Sequence, residues 1–120
     1  MHEFGVAASV LEAVEGRAAG RPVATLRLHV GALQRLDRDV FDQAFALVGE
    51  GGVADGAHVD VVEVAVEVRC RGCDHLTVAD ELVTACGSCG AHDLELLHGD
   101  DLVLESITIA GRVAGGQEVR

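Results

Sequence analysis

All four cysteines of this 120-residue chain lie between Cys70 and Cys89, as Cys70-Arg71-Gly72-Cys73, twelve further residues, and Cys86-Gly87-Ser88-Cys89. A C-x-x-C pair can close into a tight knuckle whose two thiolates point at one centre. Two facing knuckles make a tetrahedral S4 site, whose softness and geometry favour Zn(II), with iron as the main competitor. Gly72, Gly87 and Gly90 supply the backbone freedom that such turns need. Two disulfides are the alternative, but paired C-x-x-C motifs read as metal sites and nothing in the chain suggests secretion.

A ribbon of about thirty residues around these cysteines buries too little apolar surface to hold itself, so the metal must supply folding energy. The rest of the chain is apolar enough for a modest core, at 49% hydrophobic residues overall. With three Phe and no Trp or Tyr, Val, Leu and Ala must fill that core. The formal net charge is −11 and there is no Lys, which argues against a nucleic-acid partner. Residues 70–112 carry only Arg71 and Arg112 against eight carboxylates. This acidity suits a protein that meets a cation or a basic protein surface. No stretch reaches the roughly 18 apolar residues of a membrane span, so no membrane partner is expected. The start, Met1-His2-Glu3-Phe4, has no basic region before an apolar run and does not read as a secretory signal. Together with reduced cysteines this leads to an expected cytoplasmic location.

The elements that must position the chemistry follow from periodicity. Phe4, Ala7, Ala8, Leu11, Val14 and Ala18 recur at helical spacing, which predicts an amphipathic helix over 4–19, packed on a sheet and stopped by Gly20 and Pro22. Val23 to Val30 alternates, with Ala24, Leu26, Leu28 and Val30 on one face and Thr25, Arg27 and His29 on the other, as in a half-buried strand. A second helix is expected over about 38–48, with Val40, Phe41, Ala44, Phe45 and Val48 inward. Asp37 stands at its N-cap, and Leu36 with Phe41 fits a hydrophobic staple. Between His58 and Arg69 the apolar phase switches from odd positions (Val59, Val61) to even ones (Val62 to Val68). A period-2 pattern cannot change faces without a bulge or a new strand, so the chain is expected to cross between domains here. His98-Gly99-Asp100-Asp101 is a turn signal, and Leu102 to Ile109 is a strand able to return to the main sheet. The expected fold is α+β: a small sheet with two helices over 1–68 and 100–113, an inserted zinc ribbon over 69–99, and a tail over 114–120. Gly49-Glu50-Gly51-Gly52 lacks a following Lys-Ser/Thr and is a connection rather than a phosphate loop.

Met1-His2-Glu3 ahead of an amphipathic helix, Gly31 through Asp37 opening a second one, and the later C-x2-C-x12-C-x2-C together resemble the HypA/HybF family. The resemblance spans residues 1 to about 112. Members of that family are nickel metallochaperones for [NiFe]-hydrogenase maturation and, in some organisms, urease. The resemblance implies that His2 and Glu3 match the nickel-binding start and that Cys70, Cys73, Cys86 and Cys89 hold structural zinc. Asp37 falls where some members place an acidic residue near nickel. His75 matches a histidine flanking the zinc site in some members, and His92 lies two residues from a second such position. Where the family often has an acidic residue after the glycine at Gly31, this chain has Ala32. The implied partners are the nickel-handling GTPase HypB and a hydrogenase large subunit.

The chemistry of His2 agrees with this. A histidine at the start of a chain offers its imidazole and neighbouring backbone nitrogens as a chelating set, which favours the square-planar, N-rich geometry of Ni(II) and Cu(II). Nothing in the sequence pairs a nucleophile with a base, so the expected function is metal carriage without catalysis: structural Zn(II) in the ribbon, transferable Ni(II) at His2. A rubredoxin-like iron carrier and a zinc-ribbon adaptor that binds no nickel are the rival readings. His29 and His58 are expected to be structural, His75 and His92 to hydrogen-bond the sulfurs, and His98 to lie at a turn.

Overall fold

The computed structural model describes residues 2–110 of the chain. The expected tail over 114–120 lies outside the described residues. Among the described residues the fold is α+β, with two helices and two three-stranded sheets. Helix α1 (Glu3–Ala18) is followed by β1 (Val23–Gly31), a short 3-10 turn (Ala32–Gln34), α2 (Arg38–Val48), β2 (His58–Val64), β3 (Val66–Cys70), β4 (Leu76–Ala79), β5 (Leu94–His98) and β6 (Leu102–Ile109). One sheet has the order β2-β1-β6 and the other β4-β3-β5. The predicted change of phase, between Val61 and Val62, falls within β2; the strand break comes later, at Ala65, and β2 and β3 belong to different sheets.

The described residues divide into two compact units: 2–28, 36–61 and 104–110 form one, and 29–35 and 62–103 the other. The ribbon expected over 69–99 lies within the second unit. In the first, α1 and α2 pack on each other. Its core gathers Ala7, Val10, Val14 and Ala18 from α1, Phe41, Ala44 and Phe45 from α2, and Leu26 and Leu28 from β1. The rings of Phe41 and Phe45 stack, with centroids 5.8 Å apart. Truncating a core Phe of this kind to Ala costs about 3–5 kcal/mol.

The buried face of α1 differs from the predicted one. Phe4 and Ala8 are exposed and Val10 is buried. So many Ala and Gly residues line this helix that its apolar periodicity is shallow, and tertiary contact decides the face. In β1, Leu26, Leu28 and Val30 are buried as expected, but Ala24 is exposed and Val23 is buried. At the start of the strand the Val23 N–H donates to the Val53 carbonyl (2.8 Å). Arg27, on the polar face, pairs with Asp60 (2.9 Å) and reaches Glu105 (3.8 Å). Further ties come from Arg17, which donates to the Glu105 carbonyl (3.1 Å), and Arg38, which donates to the Val59 carbonyl (2.7 Å).

In the second unit, two glycines allow a close backbone approach. The Gly31 N–H donates to the Asp101 carbonyl (2.7 Å) and the Leu33 N–H to the Gly99 carbonyl (2.8 Å). A Cβ on Gly31 would run into the Gly99 backbone carbonyl, and one on Gly99 would lie 2.6 Å from Val66 Cα. Gly99 also has φ +116°, which L side chains rarely adopt. Backbone, not a flexible side chain, is the obstacle in both cases. Gly99→Ala is therefore expected to destabilise by about 2 kcal/mol or more. Gly16→Ala on α1, with nothing within 4 Å of the new methyl, should stabilise by up to about 1 kcal/mol. Denaturant unfolding of the two variants beside wild type checks both signs.

Candidate metal centres

The cysteine centre is built by two knuckles at the open end of the β4-β3-β5 sheet. In the first, the Cys70 N–H donates to the His75 carbonyl (3.0 Å) and the Asp74 N–H to the Cys70 carbonyl (2.8 Å). Asp74 takes a left-handed φ of +63° to close this turn. In the second, the Cys86 N–H donates to the Ala91 carbonyl (2.8 Å) and the Gly90 N–H to the Cys86 carbonyl (2.9 Å), with Gly90 at φ +77°. The Ser88 and Cys89 N–H groups both point at Cys86 Sγ, at 3.3 and 3.4 Å. The knuckles face each other: Cys70 and Cys89 sulfurs lie 3.7 Å apart, and those of Cys73 and Cys86 lie 3.6 Å apart.

All four sulfurs fall within 4.8 Å of one another. A tetrahedral zinc–thiolate site, with bonds near 2.3 Å, has sulfur–sulfur edges of about 3.8 Å. These separations match that edge and are far longer than the roughly 2.05 Å of a disulfide, and all four cysteines are free. The residues therefore fit a tetrahedral cation of the Zn(II) or iron type. Four thiols this close cannot all ionise unless a cation shares the charge. The Cys89 and Ser88 N–H groups stabilise the Cys86 thiolate and bring its pKa down to about 6. At Cys73 the His75 N–H acts in the same direction, but the neighbouring thiols and burial outweigh it and push the pKa up to about 12.

Of the histidines in this unit, His98 ends β5 at the expected turn, while the His75 and His92 rings do not make the expected bonds to sulfur. His92 Nδ1 donates to the Thr84 carbonyl (2.8 Å), so this ring pins the loop before the second knuckle and does not bond a sulfur. His75 serves the first knuckle through its backbone, while its Nε2 lies 4.0 Å from where a Gly87 Cβ would stand. His98 stands opposite Glu67 in the sheet register, with Nε2 to Oε1 at 3.7 Å.

The second candidate centre lies at the start of α1. His2 is the N-cap residue, is exposed, and makes no side-chain capping bond. Its carbonyl accepts the Val6 N–H (2.9 Å), so the helix begins here. Glu3 is the one buried charged residue among those described, at 5% exposure. Its Oε2 accepts the Asp37 N–H (3.0 Å), and Asp37 Oδ1 in turn accepts the Val40 N–H (3.1 Å) as the cap of α2. The starts of both helices are thus joined by a carboxylate. The Asp37 N–H and the N–H of Glu3 itself hold the Glu3 pKa below the ordinary 4.5, against the opposing effect of burial. Among the described residues, side-chain ligands gather in threes or more only at the cysteines. His2, Glu3 and Asp37 do not form such a side-chain cluster.

Comparison with known proteins bears on both centres. A family model described as hydrogenase/urease nickel incorporation, metallochaperone, hypA, matches residues 1–109. The hydrogenase maturation factor HypA of Desulfitobacterium hafniense is 30% identical over 112 residues, covering 91% of this chain and 98% of that protein. That of Legionella pneumophila is 27% identical, with 91% and 99% covered. The solution structure of the Ni metallochaperone HypA from Helicobacter pylori shares the fold, with a TM-score of 0.67 at 24% identity over 91% of this chain and 97% of that one.

Because the charged form of Glu3 is the accepting one, its bond to Asp37 persists through neutral pH and is lost as pH falls below 4.5. The Asp37 amide proton, followed by NMR, should titrate with a midpoint under 4.5 in wild type and show no such step in Glu3→Gln.

Proposed function

We propose that this chain, which belongs to the HypA family of hydrogenase/urease nickel-incorporation metallochaperones, carries Ni(II) at the start of α1 and a resident Zn(II) in its four cysteines. The observation that carries the nickel reading is the exposed imidazole of His2 at a helix start. The first N–H groups of a helix have no helical carbonyl to bond, so the backbone nitrogens of the first turn, the Glu3 nitrogen included once it leaves its own carboxylate, can turn to a metal. An imidazole with adjacent amide nitrogens forms small chelate rings and suits square-planar Ni(II).

A dication at a helix N-terminus meets the positive end of the helix dipole. Deprotonated amides and the buried negative charge of Glu3 offset that repulsion. With Oε2 engaged by Asp37, Glu3 serves by its charge, by its backbone nitrogen and by fixing the first turn. Asp37 has a second carboxylate oxygen on an exposed residue, suited to a passing contact with the metal rather than to holding it. A carrier must release its cargo, and few donors at a chain start release more readily than four enclosed thiolates. The zinc centre supplies structure: the residues that hold it are Cys70, Cys73, Cys86 and Cys89, over a ribbon proposed to span 69–99.

By family, the recipient is a [NiFe]-hydrogenase large subunit and the nickel-handling partner a HypB-type GTPase. The work is transfer without catalysis in a reducing, cytoplasmic compartment where the thiols stay free. No helix among the described residues is long and apolar enough to cross a membrane.

His2→Ala removes the imidazole without touching the core or the cysteines. Nickel affinity of the zinc-loaded protein, measured by calorimetry, is expected to fall at least tenfold, about 1.4 kcal/mol, with zinc content and thermal stability unchanged. Equal affinity in the two proteins would leave a zinc-ribbon adaptor in place of a nickel carrier.

A further inference from the structure

The sheet order β4-β3-β5 makes β4 an edge strand. It pairs antiparallel with β3, with Val66 opposite Ala79, Glu67 opposite Val78, Val68 opposite Thr77 and Arg69 opposite Leu76. One step further along, the Cys70 N–H donates to the His75 carbonyl. Hydrogen-bonded and open pairs alternate along an antiparallel ladder. Val68 with Thr77 and Val66 with Ala79 are therefore the bonded pairs, and the backbone N–H and C=O of Leu76 and Val78 point away from β3. The same two residues expose their side chains, Leu76 by 49% and Val78 by 66%. Both halves of a strand-recognition surface, open backbone groups and alternating apolar side chains, thus coincide on two residues.

Open edges are ordinarily blunted by Lys, Pro, a bulge or a covering element. The residues of β4, Leu-Thr-Val-Ala, include neither Lys nor Pro, and the irregularity in this sheet lies on the β5 side of β3. What flanks the edge is negative charge: Asp74 before it, Asp80 and Glu81 after it, all exposed. Two copies joined through β4 would crowd these carboxylates along one short ladder, where like charges destabilise. The one cation on the Leu76–Val78 face of β3, Arg69, is already neutralised by Glu95 at 2.7 Å, so it does not repel a cationic visitor.

We infer that β4 is a docking edge that takes an extended, basic segment of a partner protein as an added strand, in the manner of β-augmentation. Apolar side chains of that segment lie over Leu76 and Val78, and its Lys or Arg residues meet Asp74 at one end and Asp80 with Glu81 at the other. The surface includes no residue proposed to bind nickel, so it stands independently of the cargo.

The test uses the full zinc-loaded chain and an array of synthetic peptides of about nine residues, a strand's length, alternating Lys/Arg with Val/Ile. Sets with Glu in place of the basic residues, and with scrambled order, serve as controls. Basic alternating peptides should bind, shift the β4 resonances and protect the Leu76 and Val78 amides from exchange, while the acidic set does not bind. Val78→Pro removes only an outward-facing N–H, which an edge strand tolerates, and should weaken binding at least tenfold with zinc content unchanged. Asp80→Asn with Glu81→Gln leaves the backbone edge intact and should weaken it several-fold. No binding by any basic alternating peptide, or binding indifferent to both variants, would overturn the proposal. Sedimentation showing a homodimer that Val78→Pro dissolves would assign the edge to a second copy instead.

Discussion

The second unit depends on four sulfurs being held at one point. Among the described residues of this unit, 29–35 and 62–103, the buried apolar side chains are Val30, Val66, Val68 and the two inner cysteines, Cys70 and Cys86. Such a core cannot offset the conformational entropy of about fifty residues, at roughly 1–2 kcal/mol each. A cation shared by four thiolates can supply the difference, since structural zinc contributes on the order of 10 kcal/mol or more. The local structure is arranged for that outcome. Both knuckles are closed by backbone hydrogen bonds, and the second already offers two N–H groups to Cys86 Sγ.

The start of α1 follows the opposite logic. No preformed cage of side chains exists there among the described residues. What is fixed is the helix start, held by the Glu3 carboxylate on the Asp37 N–H and by Asp37 on the Val40 N–H. His2 projects from that fixed point into solvent. On the proposed reading, rigid support beneath a sparse donor set would give specificity through geometry while leaving the metal able to depart, and the two centres would divide the labour between holding the protein together and holding cargo.

How far the sequence alone reached can be traced through particular residues. The bounds of α2 and its Asp37 cap were legible because Val40, Phe41, Ala44, Phe45 and Val48 keep one clear face, and capping is a local rule. A crossing somewhere between His58 and Arg69 was legible because an alternating strand cannot change phase silently, but its place at Ala65 was not, since the phase changes between Val61 and Val62 inside β2. The gathering of the four cysteine sulfurs at one point was legible from their spacing. The inward face of α1 was not, because Ala and Gly carry too little hydrophobic contrast to mark it, so Val10 was passed over in favour of Phe4. Glu3 as a carboxylate joined to residue 37 was invisible for a different reason: it depends on a contact between residues 34 positions apart. The same holds for His92, whose bond to Thr84 depends on the loop geometry rather than on its distance from Cys89. Strands β4 and β5 are so short that their alternation is hard to tell from loop.

The central claim is that two metals occupy two chemically distinct sites at once, one made of sulfur and one free of it. X-ray absorption on a single sample carrying one equivalent each of zinc and nickel tests this directly. The account predicts a zinc shell of four sulfurs near 2.3 Å and a nickel shell of nitrogen and oxygen donors only, with imidazole scattering from His2. Sulfur in the nickel shell, or nitrogen in place of a thiolate at zinc, would contradict it.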